Sequence, residues 1–478
     1  MIDISKSNVT SGIVWNTLEK LSVKITQFII GIILARLLLP EDYGLIGMIA
    51  IFIAISQTFV DSGMGSGLIQ KQNRSTLDYS TVFVFNFIVS STFYFLLFIS
   101  APYIADFYNT PELKLITRIV GINLIINSFA LVQRSIIMIA LDFKKLAKIN
   151  IISVILSGII AVYFAYSGYG VWSLVIQTLI SSITSTILLW YFSKWKPSVV
   201  FSNKSFKDLF GFGSKLLLAG IYAKTLQNIY NISIGKKYSA DDLGFYTQGK
   251  QLAEVSSGTI SSILQQVTFP VLSSLQADKE KMILVYKRLI KMTAFLIFPV
   301  MITLAVLSNP LIELLLGEKW LRTIPLLQWM CFARIFYPLS ILNLNILKAN
   351  GRSDLFLKVD ILKAPIIILA LIITIPISVE AIVIGQVIST FISYLINSFY
   401  SRKLYGYGAI SQFKDIWLMI ISSVITGLIT YFIIIIINSL VLKLVIGFGV
   451  SIIIYFLISN LFKIQEIQEI KSLFLKKH

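Results

Sequence analysis

The chain has 478 residues, of which 56% are apolar and 13% charged, with a mean hydropathy of +0.83. Soluble domains carry about 25% charged residues, so this composition excludes a soluble globular protein and specifies a membrane protein. The net charge of +18 does not call for nucleic acid, because the lysines and arginines fall in short loops between apolar segments.

One cysteine, Cys331, and one histidine, His478, leave no internal disulfide, no metal cluster and no histidine-based triad. Catalytic residues, a metal site and a cofactor are therefore not expected. A cleavable signal peptide is not expected either, since residues 1–11 are polar and the first apolar segment already holds Glu19, Lys20 and Lys24. A spanning helix needs about 20 mostly apolar residues. Fourteen segments meet that requirement, at 12–37, 43–64, 80–102, 113–139, 147–167, 169–192, 211–235, 242–270, 287–309, 322–347, 355–376, 379–400, 413–437 and 440–462. Those near 242–270 and 322–347 are the most polar.

Between the first two segments lies a charged turn with Arg36, Pro40, Glu41, Asp42 and Gly44. Proline fixes φ, the two acids cap the next helix, and glycine permits a tight start. The same design recurs at 234–247, where Lys236, Asp241, Asp242 and Gly244 stand for Arg36, Glu41, Asp42 and Gly44. Upstream, Lys24 and Gln27 match Lys224 and Gln227 at the same offset. Six positions at one spacing indicate a duplicated unit of about 200 residues. This divides the chain into 1–200, 201–405 and a tail, 406–478.

With the N-terminus placed inside, inside segments hold 26 of the 41 lysines and arginines and outside segments hold 8. The bias puts both termini in the cytoplasm and supports an even helix count. The outside loops are short, and none has room for a catalytic domain. The longest inside stretch, 193–214, alternates Phe206, Leu209 and Phe210 with Lys204, Lys207 and Asp208. That suits a short helix on the membrane surface, or equally a solvated linker. Ile464, Ile467, Ile470 and Phe474 suggest an interfacial helix in the tail.

Seven cations fall inside the predicted helices: Lys20, Lys24, Arg134, Lys224, Lys250, Arg334 and Lys363. Glu19, Glu254 and Asp360 join them, and Asp61 sits near a helix end. Each charge near the bilayer centre costs about 2.5–3.5 kcal/mol and marks a functional site by default. Lys24 lies about 12 residues into its segment, about 18 Å along a helix axis, and Lys224 and Arg334 are similarly deep. Lys20, Arg134, Lys250 and Lys363 are nearer an end, where long side chains snorkel. Asn16, Lys20, Lys24 and Gln27 share one helix face, matched by Lys224, Gln227, Asn228 and Asn231, and the next segment adds Gln248, Lys250, Gln251 and Glu254. Such stripes face protein or water. The amides serve equally as glue between helices, but deep lysines that outnumber nearby acids point to a cationic cavity suited to phosphate. The candidate substrate-binding residues are Lys24, Lys224, Arg334, Lys250, Lys20, Gln27 and Gln227, and the candidate ion-coupling residues are Glu254 and Asp360. If the repeats are related by an axis along the membrane normal, Lys24 and Lys224 face each other at similar depth.

The order of Ala35-Arg-Leu-Leu-Leu-Pro-Glu-Asp-Tyr-Gly44, Asp61-Ser-Gly-Met-Gly-Ser-Gly-Leu-Ile-Gln70 and Gly168-Tyr-Gly-Val-Trp-Ser-Leu-Val175 resembles the Wzx-type polysaccharide flippases. So do Gly235-Lys-Lys-Tyr-Ser-Ala-Asp-Asp-Leu-Gly-Phe-Tyr246, Gly317-Glu-Lys-Trp320 and Lys348-Ala-Asn-Gly-Arg-Ser-Asp354. The resemblance runs along nearly the whole chain and is to the colanic-acid and teichuronic-acid exporter branch of the multidrug/oligosaccharidyl-lipid/polysaccharide exporter superfamily. It implies an all-α integral membrane protein, with two six-helix bundles around a cavity and two extra C-terminal helices. It implies an undecaprenyl-diphosphate-linked oligosaccharide turned to the periplasmic leaflet of the bacterial inner membrane by alternating access, with proton or sodium counter-transport. It also implies membrane lipids, a polymerase and glycosyltransferases of the same pathway as partners, and no nucleic acid. The Ile- and Leu-rich helices at 428–437 and 444–458 offer the prenyl tail a groove, or serve equally as lipid-facing padding or an oligomer contact. A drug–cation antiporter of the same superfamily would more often carry a cavity rich in acids. A membrane polymerase or glycosyltransferase would need a large outside loop, an Asp-x-Asp or a catalytic histidine.

Overall fold

The computed structural model describes residues 6–468. All regular structure among them is helical: α1 (Lys6–Leu37), α2 (Pro40–Asp61), α3 (Met64–Gln70), α4 (Thr76–Tyr108), α5 (Leu113–Ile139), α6 (Phe143–Tyr166), α7 (Val171–Ser193), α8 (Asn203–Lys237), α9 (Ala240–Ser274), α10 (Lys279–Val306), α11 (Ser308–Leu315), α12 (Thr323–Ala349), α13 (Ser353–Thr374), α14 (Val379–Tyr405), α15 (Ala409–Ile436) and α16 (Leu440–Leu461), with a 3-10 turn at Glu318–Trp320. Apart from α3 and α11, each helix has 22 residues or more and overlaps one predicted segment. Among the described residues, ten spans are long and apolar enough to cross a membrane, with α2 and α3 together forming one of them. α1, α8, α9 and α13 are not in that set. They are the helices that carry Lys24, Lys224, Lys250 with Glu254, and Asp360 with Lys363.

The chain forms two compact units, residues 1–244 and 245–478. The division falls inside α9, because α8 packs along α2, α3 and α4. In the first unit α1 lies on α6, α6 on α7, α7 on α5 and α5 on α4. In the second, α12 packs on α10 and α14, α14 on α13, α15 on α10 and α16 on α15.

The charged turns form as their residue types require. Asp42, in the first turn of α2, accepts a hydrogen bond from the backbone N–H of Leu39 at 2.8 Å. The matching turn has a serine at the cap: Ser239 Oγ accepts from the Asp242 N–H at 3.1 Å, and the Asp242 carboxylate accepts from the Ser239 hydroxyl at 3.0 Å. Leu39 has no side-chain acceptor, so the first repeat keeps half of this box. A Cβ on Gly44 would collide with the Ala240 carbonyl, and one on Gly244 with the Pro40 carbonyl. Repeat-matched glycines thus let the starts of α2 and α9 meet backbone to backbone.

Two expectations about surface helices need correction. The stretch 203–214 is the first part of α8, not a separate helix on the membrane. Leu209 is buried with Met64, Leu68, Val82 and Val132, and Phe206, Phe210 and Trp195 close the cluster. In the tail, Ile464 and Ile467 are buried against protein, and Lys291 reaches Glu466 at 3.5 Å. Ile470 and Phe474 lie outside the described residues.

The two extra helices attach through small residues. Gly447, Ser451 and Ser459 of α16 are buried at four- and eight-residue spacing, which lets neighbouring backbones approach closely. Tyr455 donates to the Phe295 carbonyl at 2.9 Å. α15 is fixed by Gln412, which is fully buried. Gln412 Nε2 donates to Tyr286 Oη at 3.1 Å and Asn343 Oδ1 at 3.0 Å, and its Oε1 accepts from the Tyr394 hydroxyl at 2.7 Å. Tyr286 also donates to Asn343 at 2.7 Å. A buried network with its members satisfied in this way is rigid, and costly to open.

Candidate functional site

The second unit joins three of the candidate side chains. Glu254 of α9 accepts a hydrogen bond and ion pair from Arg334 of α12. The helices come close at Gly249, where a Cβ would meet Thr323 Cγ2 at 3.3 Å and the Leu327 backbone nitrogen at 3.4 Å. Lys250, one turn before Glu254, lies within the field of both partners, and its ammonium stands 6.0 Å from the Tyr246 ring centre. Arg334 also lies 5.4 Å from the ring centre of Tyr337. Glu254 therefore has a partner on another helix in addition to the field of Lys250 on its own.

The first unit assembles a different cluster, around Asp61. Asp61 is the last residue of α2, followed by Ser62 and Gly63 in left-handed conformations, with φ of 38° and 68°. The break turns the chain into α3. Gly213 of α8 packs into it, its Cα 2.6 Å from where a Cβ on Gly63 would stand. Asp61 Oδ1 accepts from Gln57 Nε2 at 3.0 Å, and Gln57 Oε1 accepts from Asn127 Nδ2 of α5 at 3.2 Å. Arg134 of α5 and Lys224 of α8 lie within the electrostatic field of the Asp61 carboxylate without a direct ion pair among the described residues. Both helices pack at this level: a Cβ on Gly65 would meet Ser135 Oγ at 3.5 Å, and one on Gly220 would meet Thr58 Cγ2 at 2.9 Å. Asp61, Arg134 and Lys224 are all exposed in the chain.

Lys24 is half-buried and Gln27 exposed on α1, which packs along α6. Gln227 is exposed one turn beyond Lys224 on α8. The side chain of Lys20 lies outside the described residues. Asp360 accepts from Lys363 at 2.7 Å within α13, and Lys348 lies within the field of both. Asp360 is therefore engaged by its own helix. Sequence reasoning placed Asp61 at a helix end and gave Gln57 and Asn127 no role. The signal available was an acid in the last turn of a spanning helix, where the macrodipole disfavours it.

These features come with a set of relatives. Residues 33–325 match the family described as polysaccharide biosynthesis protein. Over 355 residues the chain is 28% identical to the teichuronic acid biosynthesis protein TuaB of Bacillus subtilis (strain 168), covering 73% of this chain and 72% of that one. Over 440 residues it is 23% identical to the lipopolysaccharide biosynthesis protein WzxC of Escherichia coli (strain K12), covering 89% and 87%. Its fold is similar to that of the lipid II flippase MurJ in an inward closed conformation, with a TM-score of 0.79, 16% identity, and coverage of 94% of this chain and 98% of that one.

Proposed function

The chain belongs to the polysaccharide biosynthesis protein family, and on that premise we propose that it is a flippase for lipid-linked oligosaccharides. The substrate is an undecaprenyl-diphosphate-linked sugar unit, moved from the cytoplasmic to the periplasmic leaflet of a bacterial inner membrane by alternating access. Both termini are cytoplasmic on the charge bias of the loops, and fourteen spans carry the chain across. TuaB is named for teichuronic acid biosynthesis and WzxC for lipopolysaccharide biosynthesis, and MurJ is named as a lipid II flippase.

The observation that carries the proposal is the exposure of Lys224 and Arg134 on membrane helices of the first unit. An exposed cation there is expensive without an anion to meet, and a sugar diphosphate supplies one. Lys is a compact charge with three donors, able to follow a phosphate as the protein rearranges. Lys24 and Lys224, at matching repeat positions, are assigned to one diphosphate, with Gln27 and Gln227 beside them. Glu254 is assigned to coupling with a counter-transported proton or sodium ion.

The test is polysaccharide export in a strain lacking its own transporter, at equal membrane levels. Lys24→Arg and Lys224→Arg should keep substantial export, while the alanine variants lose much of it and the glutamate variants nearly all. The double alanine variant should be non-additive, because both residues touch one ligand. Wild-type export by the double alanine variant would remove the paired lysines from the mechanism.

A further inference from the structure

We propose that the first unit holds a resident anionic phospholipid, with an acyl chain in a groove between α5 and α7 and its phosphate on the lysines that follow α7. The inference goes beyond the flippase reading and does not need it.

The groove has a volume of about 410 Å³ and is lined by Ile126 and Phe129 of α5 and by Ile183, Thr186, Ile187 and Trp190 of α7. Both helices are long and apolar enough to cross a membrane. The two polar groups of the lining are engaged inside the protein. The Thr186 hydroxyl donates to the Ile126 carbonyl at 3.3 Å, and the Trp190 indole N–H donates to the Phe129 carbonyl at 2.8 Å. Both bonds cross from α7 to α5, so they fix the two walls and remove their polarity together. Phe83 of α4 packs against both rings, with centroids 5.8 Å from Phe129 and 6.1 Å from Trp190. What remains is an apolar, preformed slot, and Ile183 and Ile187 on its α7 side are exposed. A methylene chain lying there supplies the dispersion contacts that an empty notch would forfeit.

Charge at one end of the slot selects the lipid. The Lys194 N–H bonds to the Trp190 carbonyl at 3.3 Å, which puts this lysine one turn beyond the last groove residue. Lys194 and Lys196 are exposed. From Ile183 to Lys207 the chain carries four lysines, Lys194, Lys196, Lys204 and Lys207, and no acid. The start of α6 comes to the same end of the unit: Leu146 and Ile149 are buried with Leu189 of α7 and Ile137 of α5, and Phe192 packs on them. It adds the exposed Lys148, while Lys145 is held by Asp142 at 2.8 Å. The groove spans about 10 Å of α7 at 1.5 Å per residue, so a chain in it runs from the middle of the helix to its charged end. The loop-charge bias assigns that end to the cytoplasm, where anionic headgroups meet basic residues beside a spanning helix. A glycerophospholipid joins phosphate to acyl chain at the interface and stays in one leaflet, as this arrangement requires. The lysines assigned to the translocated headgroup stand on other helices, Lys224 on α8 against α2, α3 and α4, and Lys24 on α1 against α6. A lipid at α5 and α7 is therefore a companion of the fold and not the cargo.

The experiment is native mass spectrometry of the purified full-length protein, released from nanodiscs that contain phosphatidylglycerol, phosphatidylethanolamine and undecaprenyl phosphate in equal amounts. Wild-type protein should retain one phosphatidylglycerol. Lys194→Gln and Lys196→Gln should each weaken its retention about fivefold, the effect of about 1 kcal/mol per lysine at an anionic lipid surface. Lys194→Arg and Lys196→Arg should keep it. Ile183→Phe fills the groove from an exposed position with every charge in place, and should displace the same lipid. Equal retention of phosphatidylethanolamine, or retention unchanged in both glutamine variants, would reduce the bound lipid to ordinary solvent and overturn the site. Unchanged retention in Ile183→Phe would place the lipid outside the groove and overturn it as well. Undecaprenyl phosphate in place of phosphatidylglycerol would make the groove a seat for the carrier chain, again against the proposal. Export by Lys24 and Lys224 variants has no bearing on these outcomes, so the flippase reading and the lipid site fail separately.

Discussion

Both units place an acid on the second helix of the repeat and a cation on the helix that follows the third, but they use them in opposite ways. In the second unit Glu254 stands well inside α9, and Arg334, midway along α12, closes on it directly. The arginine side chain keeps 18% of its exposure and the glutamate 43%. In the first unit Asp61 ends α2, its direct donor is the neutral Gln57, and Arg134 and Lys224 remain exposed. A closed pair is neutral overall, which leaves Glu254 for coupling rather than for holding an anion. An open cluster keeps net positive charge and suits a ligand. The number of charges in a membrane helix therefore says less about function than the partner each one finds.

The sharpest way to break this contrast is to remove one cation from each unit. Arg334→Ala leaves the half-exposed Glu254 without its partner and should cost about 1–3 kcal/mol, as an unmet polar group does, read as lost folded protein in a detergent thermal melt. Replacing both members, Glu254→Gln with Arg334→Gln, should recover much of that loss. Arg134→Ala should melt near wild type while export falls. Equal melting losses for Arg334→Ala and Arg134→Ala would erase the distinction between closed and open clusters.

A second test probes the rigidity of the second unit. Gln412→Leu strips partners from Tyr286, Asn343 and Tyr394 at once, and leaving buried polar groups unmet costs about 1–3 kcal/mol each. Proteolysis should then release α15 and α16 as the first fragment, with the first unit intact. Fragmentation that begins in the first unit would reverse the order of stability.

The smallest effect concerns the break beside Asp61. Gly63→Ala places a Cβ on a residue at φ 68° and against Gly213, a strain of about 1–2 kcal/mol for the left-handed conformation alone. Because α9 runs through the matching region unbroken, the loss should appear as weaker docking of α8, seen as faster hydrogen exchange at 207–220. Unchanged exchange there would mean that the break is not what brings α8 in.

Much of the fold was legible because apolar runs of spanning length and turns rich in Pro, Asp and Gly are local signals. The start of α8 was misread because Phe206, Leu209 and Phe210 make the same pattern whether the face meets lipid headgroups or, as here, Met64 and Val82. The site was legible as a set of charges but not as pairs. Glu254 has Lys250 four residues away in its own helix, yet binds Arg334, 80 residues along the chain. Asp61 gave only a weak signal, since Gln57 is its one partner close in sequence, while Asn127 reaches Gln57 through packing between helices.

The reciprocal glycine contact between the starts of α2 and α9 has a consequence for biogenesis. Gly44 finds its opposite backbone at Ala240, and Gly244 finds its own at Pro40, so the first half of this clasp is made long before the second. At a synthesis rate of about 5–20 residues per second, α2 waits about 10–40 s for its counterpart to leave the ribosome. During that interval a bare glycine and the carbonyl of Pro40 stand unpartnered in a membrane that already holds several helices. The small side of α2 is open then to any other helix with a matching notch, and the membrane insertion machinery, or α1 and α4 to α7 packed around it, must keep that seat free until α9 arrives.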